Sequence, residues 1–110
     1  MKANENHTIY VSSHEELVVT VEDVTVITGG VVVWVLARSV DADPVISKSS
    51  ETVTEISLDG NTFTVYLTPI DTVELNPDYT YYHEARLTDE YGNTRPVMSG
   101  LITVRDTATI

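Results

Sequence analysis

The chain has 110 residues, no cysteine, 17 acidic against 6 basic residues and a formal net charge of −11. That length fits one domain, whose core buries roughly two-thirds of the surface exposed by the unfolded chain. Without thiols there is no disulfide framework, thiolate metal site or thiol nucleophile, and so acidic a surface disfavours nucleic-acid and anionic-membrane partners while suiting a neighbour with a basic face.

The polar start Met1-Lys2-Ala3-Asn4-Glu5-Asn6-His7 lacks the apolar stretch of a signal peptide, so export would need another route such as cell lysis. It reads as a flexible arm over residues 1–7, followed by a folded domain over 8–105 and a tail over 106–110. From Ile9 onward nearly every stretch has period two, the signature of a strand. Ile9-Tyr10-Val11 is a short β-prone piece, and Leu17, Val19 and Val21 alternate with Val18 and Thr20. Val24 to Ile27 is another β-prone run before the turn at Gly29-Gly30. Val31 to Arg38 is apolar on both faces, which predicts a central strand covered on both sides. It is strand-sized, and no apolar run approaches a membrane span.

Pro44 opens a short strand to Lys48. Val53 to Leu58 and Thr62 to Thr68 flank Asp59-Gly60-Asn61, a hairpin signal, with Phe63, Val65 and Leu67 on one face. Alternation breaks from Thr68 to Leu75, predicting one helical turn near 69–75 that crosses between two sheets. Thr68 or Asp71 would cap it, with Pro69 where a missing N–H matters little. Tyr79 to Thr88 alternates again, placing Tyr79, Tyr81, His83, Ala85 and Leu87 together. Asp89 to Asn93 is a tight turn with Gly92 at positive φ, and a last strand runs from about Arg95 to Arg105 with a bulge at Gly100.

Seven or eight short strands with turn signals about every ten residues, and no long helix, predict an all-β sandwich or small barrel. Its expected core includes Trp34 between the sheets, Leu36, Phe63, Val65, Leu67, Tyr81, His83, Ala85 and Leu87.

Reactive side chains are few and scattered. His83 shares an apolar face and reads as a hydrogen-bonded core histidine. Nothing in the sequence brings His7 or His14 to it as a metal site. Asp41-Ala42-Asp43 and Asp89 to Asn93 offer oxygens to a hard cation such as Ca²⁺, but lack the spacing of a calcium loop and suit turns for backbone reasons. Glu15-Glu16 and Glu22-Asp23 read as solvated strand ends that discourage edge pairing. Ser12, Ser13 and His14 make no triad, and there is no nucleophile elbow, phosphate loop or zinc-protease helix. No catalytic residue, cofactor or metal site is assigned. Tyr79 and Tyr81 point inward by phase, which argues against a sugar-stacking platform. Tyr66 and Tyr82 point outward, and on neighbouring strands they would form an apolar patch; with Tyr10 they are the candidate partner contacts.

Several stretches share a running pattern: Trp34 to Arg38, Pro44 to Lys48, Phe63 to Thr72, Tyr81 to Asp89, Gly92-Asn93 and Ser99 to Val104. Together, over about residues 8–105, they resemble the small immunoglobulin-like proteins of tailed bacteriophages and prophages. The domain type is also similar to the N-terminal module of phage baseplate upper proteins. The most specific pieces are Leu67-Thr68-Pro69-x-Asp71-Thr72 and Tyr81-Tyr82-His83-Glu84-Ala85. The resemblance implies that the all-β fold is an immunoglobulin-like antiparallel sandwich. It also implies a non-catalytic virion part, assembled in the host cytoplasm and attached to a major capsid protein or to tail and baseplate proteins, as a homo-oligomer or high-copy assembly. With no long C-terminal region carrying a receptor-binding platform, capsid decoration is preferred over tail or baseplate attachment. The alternative is a carbohydrate- or receptor-binding adhesion module of a tail or baseplate.

Overall fold

The computed structural model describes residues 3–21 and 26–106. The elements are β1 (Ala3–Asn4), β2 (His7–Tyr10), β3 (Glu15–Thr20), β4 (Val31–Ala37), β5 (Pro44–Ser49), β6 (Ile56–Asp59), β7 (Thr62–Leu67), α1 (Pro69–Thr72), β8 (Thr80–Thr88) and β9 (Thr94–Arg105). They form a six-stranded sheet in the order β1-β9-β8-β4-β5, with β2 also on β9, and a three-stranded sheet in the order β3-β7-β6.

Period-two patterning explains why the two sheets pack. Leu17 and Val19 on β3 and Phe63, Val65 and Leu67 on β7 face Val32, Trp34 and Leu36 on β4 and Tyr81, Ala85 and Leu87 on β8, all buried. All nine expected core residues lie in this interior, His83 included. Two further features are ones that immunoglobulin-type sandwiches also carry. A buried tryptophan, Trp34, sits on β4. Tyr81, near the start of β8, accepts a hydrogen bond from the Asn76 N–H at 2.9 Å through its hydroxyl, the tyrosine corner of such folds. His83 then occupies the place, two residues on, where antibody domains carry the second cysteine.

The connection from β7 to β8 crosses between the sheets through α1. Thr68 caps it: its hydroxyl accepts from the Asp71 N–H at 3.3 Å, and the Asp71 carboxylate accepts from the Thr68 N–H at 2.8 Å, a reciprocal capping box. Lys48 on β5 reaches the same carboxylate at 2.7 Å. Burial alone would raise the Asp71 pKa, but the hydrogen bonds from Lys48 and Thr68 outweigh it and hold the group below the ordinary carboxylate value. The folded-state pKa is depressed, so this stabilisation is present above about 3.8 and lost as pH falls below it. Asp71→Ala is expected to cost about 1–2 kcal/mol in urea unfolding at pH 7, typical of a lost cap. Lys48→Met, which leaves the cap intact, costs less.

Several expectations are corrected. The expected arm over 1–7 is part of the sheet in its described residues: β1 and β2 lie parallel to β9, with Ala3 opposite Met98 and His7 opposite Ile102, so the sheet is not wholly antiparallel. Val31 to Ala37 is covered on one side only, because the fold has two layers; Val31, Val33 and Val35 face outward and Val33 is 38% exposed. Of Val53 to Leu58, only Ile56 onward is strand. The helical turn ends at Thr72, short of residue 75. The bulge in β9 is at Val97, where the pairing slips between Ala85–Met98 and Arg86–Pro96, while Gly100 is in register opposite His83. Tyr79 precedes β8 and is 38% exposed, its ring under the Arg38 guanidinium at 3.4 Å. The β-prone run at Val24 lies largely outside the described residues, as do Glu22-Asp23 and most of the tail; Val26 and Ile27 are not strand.

Candidate interaction surface

The interior polar cluster is built by three strands. Trp34 points inward from β4, and its indole N–H donates to His83 Nδ1 at 3.0 Å. The proton of the neutral ring therefore sits on Nε2, which donates to the Glu5 carbonyl oxygen at 2.6 Å. His7 lies edge-on to the same imidazole, with ring centres 5.8 Å apart, and its Nε2 is 3.1 Å from the Glu5 carboxylate. Burial is the main reason the His83 pKa falls below the ordinary histidine value; the nearby His7 adds to this and the Glu5 carbonyl opposes it.

Glu5 can reach His83 because of Gly100. A Cβ on Gly100 would fall on the Glu5 carbonyl oxygen, so only glycine admits this approach. The Glu5 N–H still donates to the Ser99 carbonyl at 2.9 Å, but its own carbonyl turns inward. The Asn6 side-chain oxygen takes its place on the ladder, accepting from the Leu101 N–H at 2.9 Å. The N-terminal strand is thus keyed to β9 by one histidine, one glycine and one asparagine.

The other reactive groups are tied into turns. Asp89 accepts from the Tyr91 and Asn93 N–H groups at 2.9 and 3.0 Å. Chiefly the Asn93 contact holds its carboxyl below the usual range. A cleft of about 370 Å³ lies beside that turn, lined by Ile27, Gly30, Leu87 and Glu90 among others. Glu15 is not a solvated strand end: its carboxylate accepts from the Tyr10 N–H at 2.9 Å and closes the β2–β3 turn. The Ser13 hydroxyl lies 2.7 Å from that carboxylate and 2.6 Å from the Tyr10 carbonyl oxygen, as part of the same turn. His7 meets His83, yet both His83 nitrogens are already engaged. Among the described residues no group of three or more histidines or carboxylates is placed to hold a metal ion.

The outward surfaces differ from what tyrosine phase alone suggests. Tyr66 lies on the three-stranded sheet, bonded to the Ser57 hydroxyl at 2.8 Å, whereas Tyr82 lies on the six-stranded sheet. The two strands do not neighbour each other, so no joint patch forms. Around Tyr66 the three-stranded sheet presents Glu16, Val18, Thr20, Thr62 and Thr64. Tyr82 stands opposite Leu101, and on the next strand Val33 and Val35 face the same way. Burial, then the Glu84 charge, push the Tyr82 phenol above its ordinary pKa. Tyr10, 43% exposed, ends β2 opposite Arg105 on the same sheet. The six-stranded sheet thus carries an outward apolar patch centred on β4 and β8, while Val18 on the other sheet and Ile70, Val53 and Tyr91 outside the strands are exposed separately. Sequence phase identified Tyr82 but missed Val33, Val35 and Leu101, because a strand apolar on both faces does not reveal which face is open.

No protein-family model matches the chain, and no curated protein matches it by sequence.

Proposed function

We propose that the chain is a non-catalytic structural module of a tailed-bacteriophage particle, attached in multiple copies to the capsid or to the tail and baseplate. The observation that carries this reading is that its hydrogen-bonded polar groups are spent on structure, His83 in the core and Asp71 and Asp89 in a helix cap and a turn. His83, Asp71 and Asp89 each serve the fold, and flat sheet faces remain for contact. The two most specific pieces of the phage-like pattern coincide with the capping box at 68–71 and the tyrosine corner at 81, so the resemblance rests on how the sandwich is built. Binding through preformed faces needs little reorganisation, and repetition on a symmetric particle turns a weak single contact into durable attachment.

The test is to add labelled protein to purified tailed-phage particles assembled without it. Saturation at a fixed copy number, with label at repeated positions in images, is the expected result. Absence of particle binding, together with saturable binding of the isolated protein to a glycan, would overturn the reading in favour of an adhesion module.

A further inference from the structure

We infer that the outward face of the six-stranded sheet is a self-association surface, on which a second copy of this chain packs face to face. The inference does not depend on where the protein works, and it rests on how charge and apolar groups are arranged across that face.

The molecule carries a net charge of −11, yet this face is poor in acid. Among the described residues, the outward side chains of its strands include one carboxylate, Glu84, against two guanidiniums, Arg86 and Arg105. The opposite sheet face presents Glu16 and Asp59 with no base. Of the two faces, this is the one whose described outward charges are more basic than acidic, with Glu84 against Arg86 and Arg105. The far-side carboxylates lie beyond the Debye length of about 8 Å at physiological salt, since the two sheets are themselves about 10 Å apart. A strongly basic partner finds its complement elsewhere on the surface.

The face is also self-complementary. Val35 lies beside Glu84, and Val33 beside Arg86, on β4 and β8. The flanking strands continue the rows, with Ser47 and Ser99 beside the first pair and Ser49 and Pro96 beside the second. A two-fold axis running across the strands between these rows brings each row onto the other row of the partner copy. Val33 then meets Val35, and Glu84 meets Arg86, twice over. This is the isologous arrangement typical of dimers. Within one chain Arg86 is 3.6 Å from Glu84 and its side chain is 61% exposed, so it is free to swing to a second carboxylate. Leu101, 51% exposed, and Tyr82 add apolar area on one side, and Val45, 52% exposed, on the other.

Size sets the strength. Five strands about 4.8 Å apart, with about six residues each at 3.3 Å, give a footprint of roughly 24 by 20 Å. A standard interface takes about 800 Å² from each partner, so this pairing sits at the weak, exchanging end.

Sedimentation equilibrium over micromolar to millimolar concentrations tests the inference. Wild type is expected to show a reversible monomer–dimer equilibrium, weakened at least tenfold by Val33→Lys. Glu84→Arg and Arg86→Glu each weaken dimerisation alone, and an equimolar mixture of the two restores it, because every cross-axis pair is then opposite in charge. The mixing experiment uses Arg86, 61% exposed by side chain, and the partly exposed Glu84, and stands if Val33→Lys fails to fold. A wild type that stays monomeric at millimolar concentration, or a dimer indifferent to both charge swaps and unrestored by mixing, would overturn it.

Discussion

Gly100→Ala is expected to destabilise the domain by about 3 kcal/mol, the upper range for inserting a methyl where there is no room. The added Cβ and the Glu5 carbonyl cannot occupy the same place, and the obstructing atom is backbone, so no rotamer change relieves the clash. The N-terminal strand must lift, and three contacts go with it. His83 loses the acceptor of its Nε2–H, Leu101 loses the Asn6 oxygen, and Ile9, fully buried, is exposed. Hydrogen exchange distinguishes this from a general loss of stability. The amides of residues 99–105 that bond to β1 and β2 should exchange far faster than those of β8 facing β4. Tolerance of alanine within about 0.5 kcal/mol, the usual range for an innocuous surface change, would show that the strand is not keyed in this way.

Stability is expected to fall as pH drops below about 6.5, before the carboxylates titrate. Burial lowers the His83 pKa in the folded state, while the unfolded chain titrates near the ordinary value of 6.5. Between those two values the unfolded chain binds more protons, so the unfolding free energy rises with pH there. The neutral-ring stabilisation is fully present above 6.5 and declines below it, by up to about 1.4 kcal/mol per pH unit until the folded-state pKa is reached. The molecular cause is specific: a proton on Nδ1 would face the Trp34 indole N–H, which donates to that nitrogen. Glutamine offers an acceptor and a donor on one short side chain. His83→Gln should therefore keep much of the stability at pH 7.5 and flatten the difference between pH 6.5 and 5. Urea unfolding of both proteins across that window checks it, and an unchanged slope in the variant would place the effect elsewhere.

How far the sequence led can be judged from particular residues. Phe63-Thr64-Val65-Tyr66-Leu67 alternates cleanly because one face is buried and the other wet, so its inward set was legible at once. Thr68-Pro69-Ile70-Asp71 carried a helix start in chemistry that needs no long-range information. At the N-terminus Ile9-Tyr10 read as β-prone, but the pairing of residues 3–10 was not legible, since a parallel pairing with the far end of the chain leaves no local mark. The Gly100 requirement was hidden for the same reason: a glycine within a strand suggests a bulge, and only the packed structure shows that another backbone approaches it. Val31 to Ala37 misled in the opposite direction. An apolar stretch on both faces predicts two covers, and here one cover is missing, which is the basis of the self-association surface.

The neutrality of His83 decides most directly whether the buried histidine serves the fold rather than acid–base chemistry. Nitrogen-15 NMR of the imidazole, followed from pH 8 to 5, reads it in one experiment. A single tautomer protonated at Nε2, with its titration displaced below pH 6.5, is the expected result. Ordinary titration near 6.5, with the two tautomers exchanging, would contradict it by showing a histidine available to solvent as an acid or base.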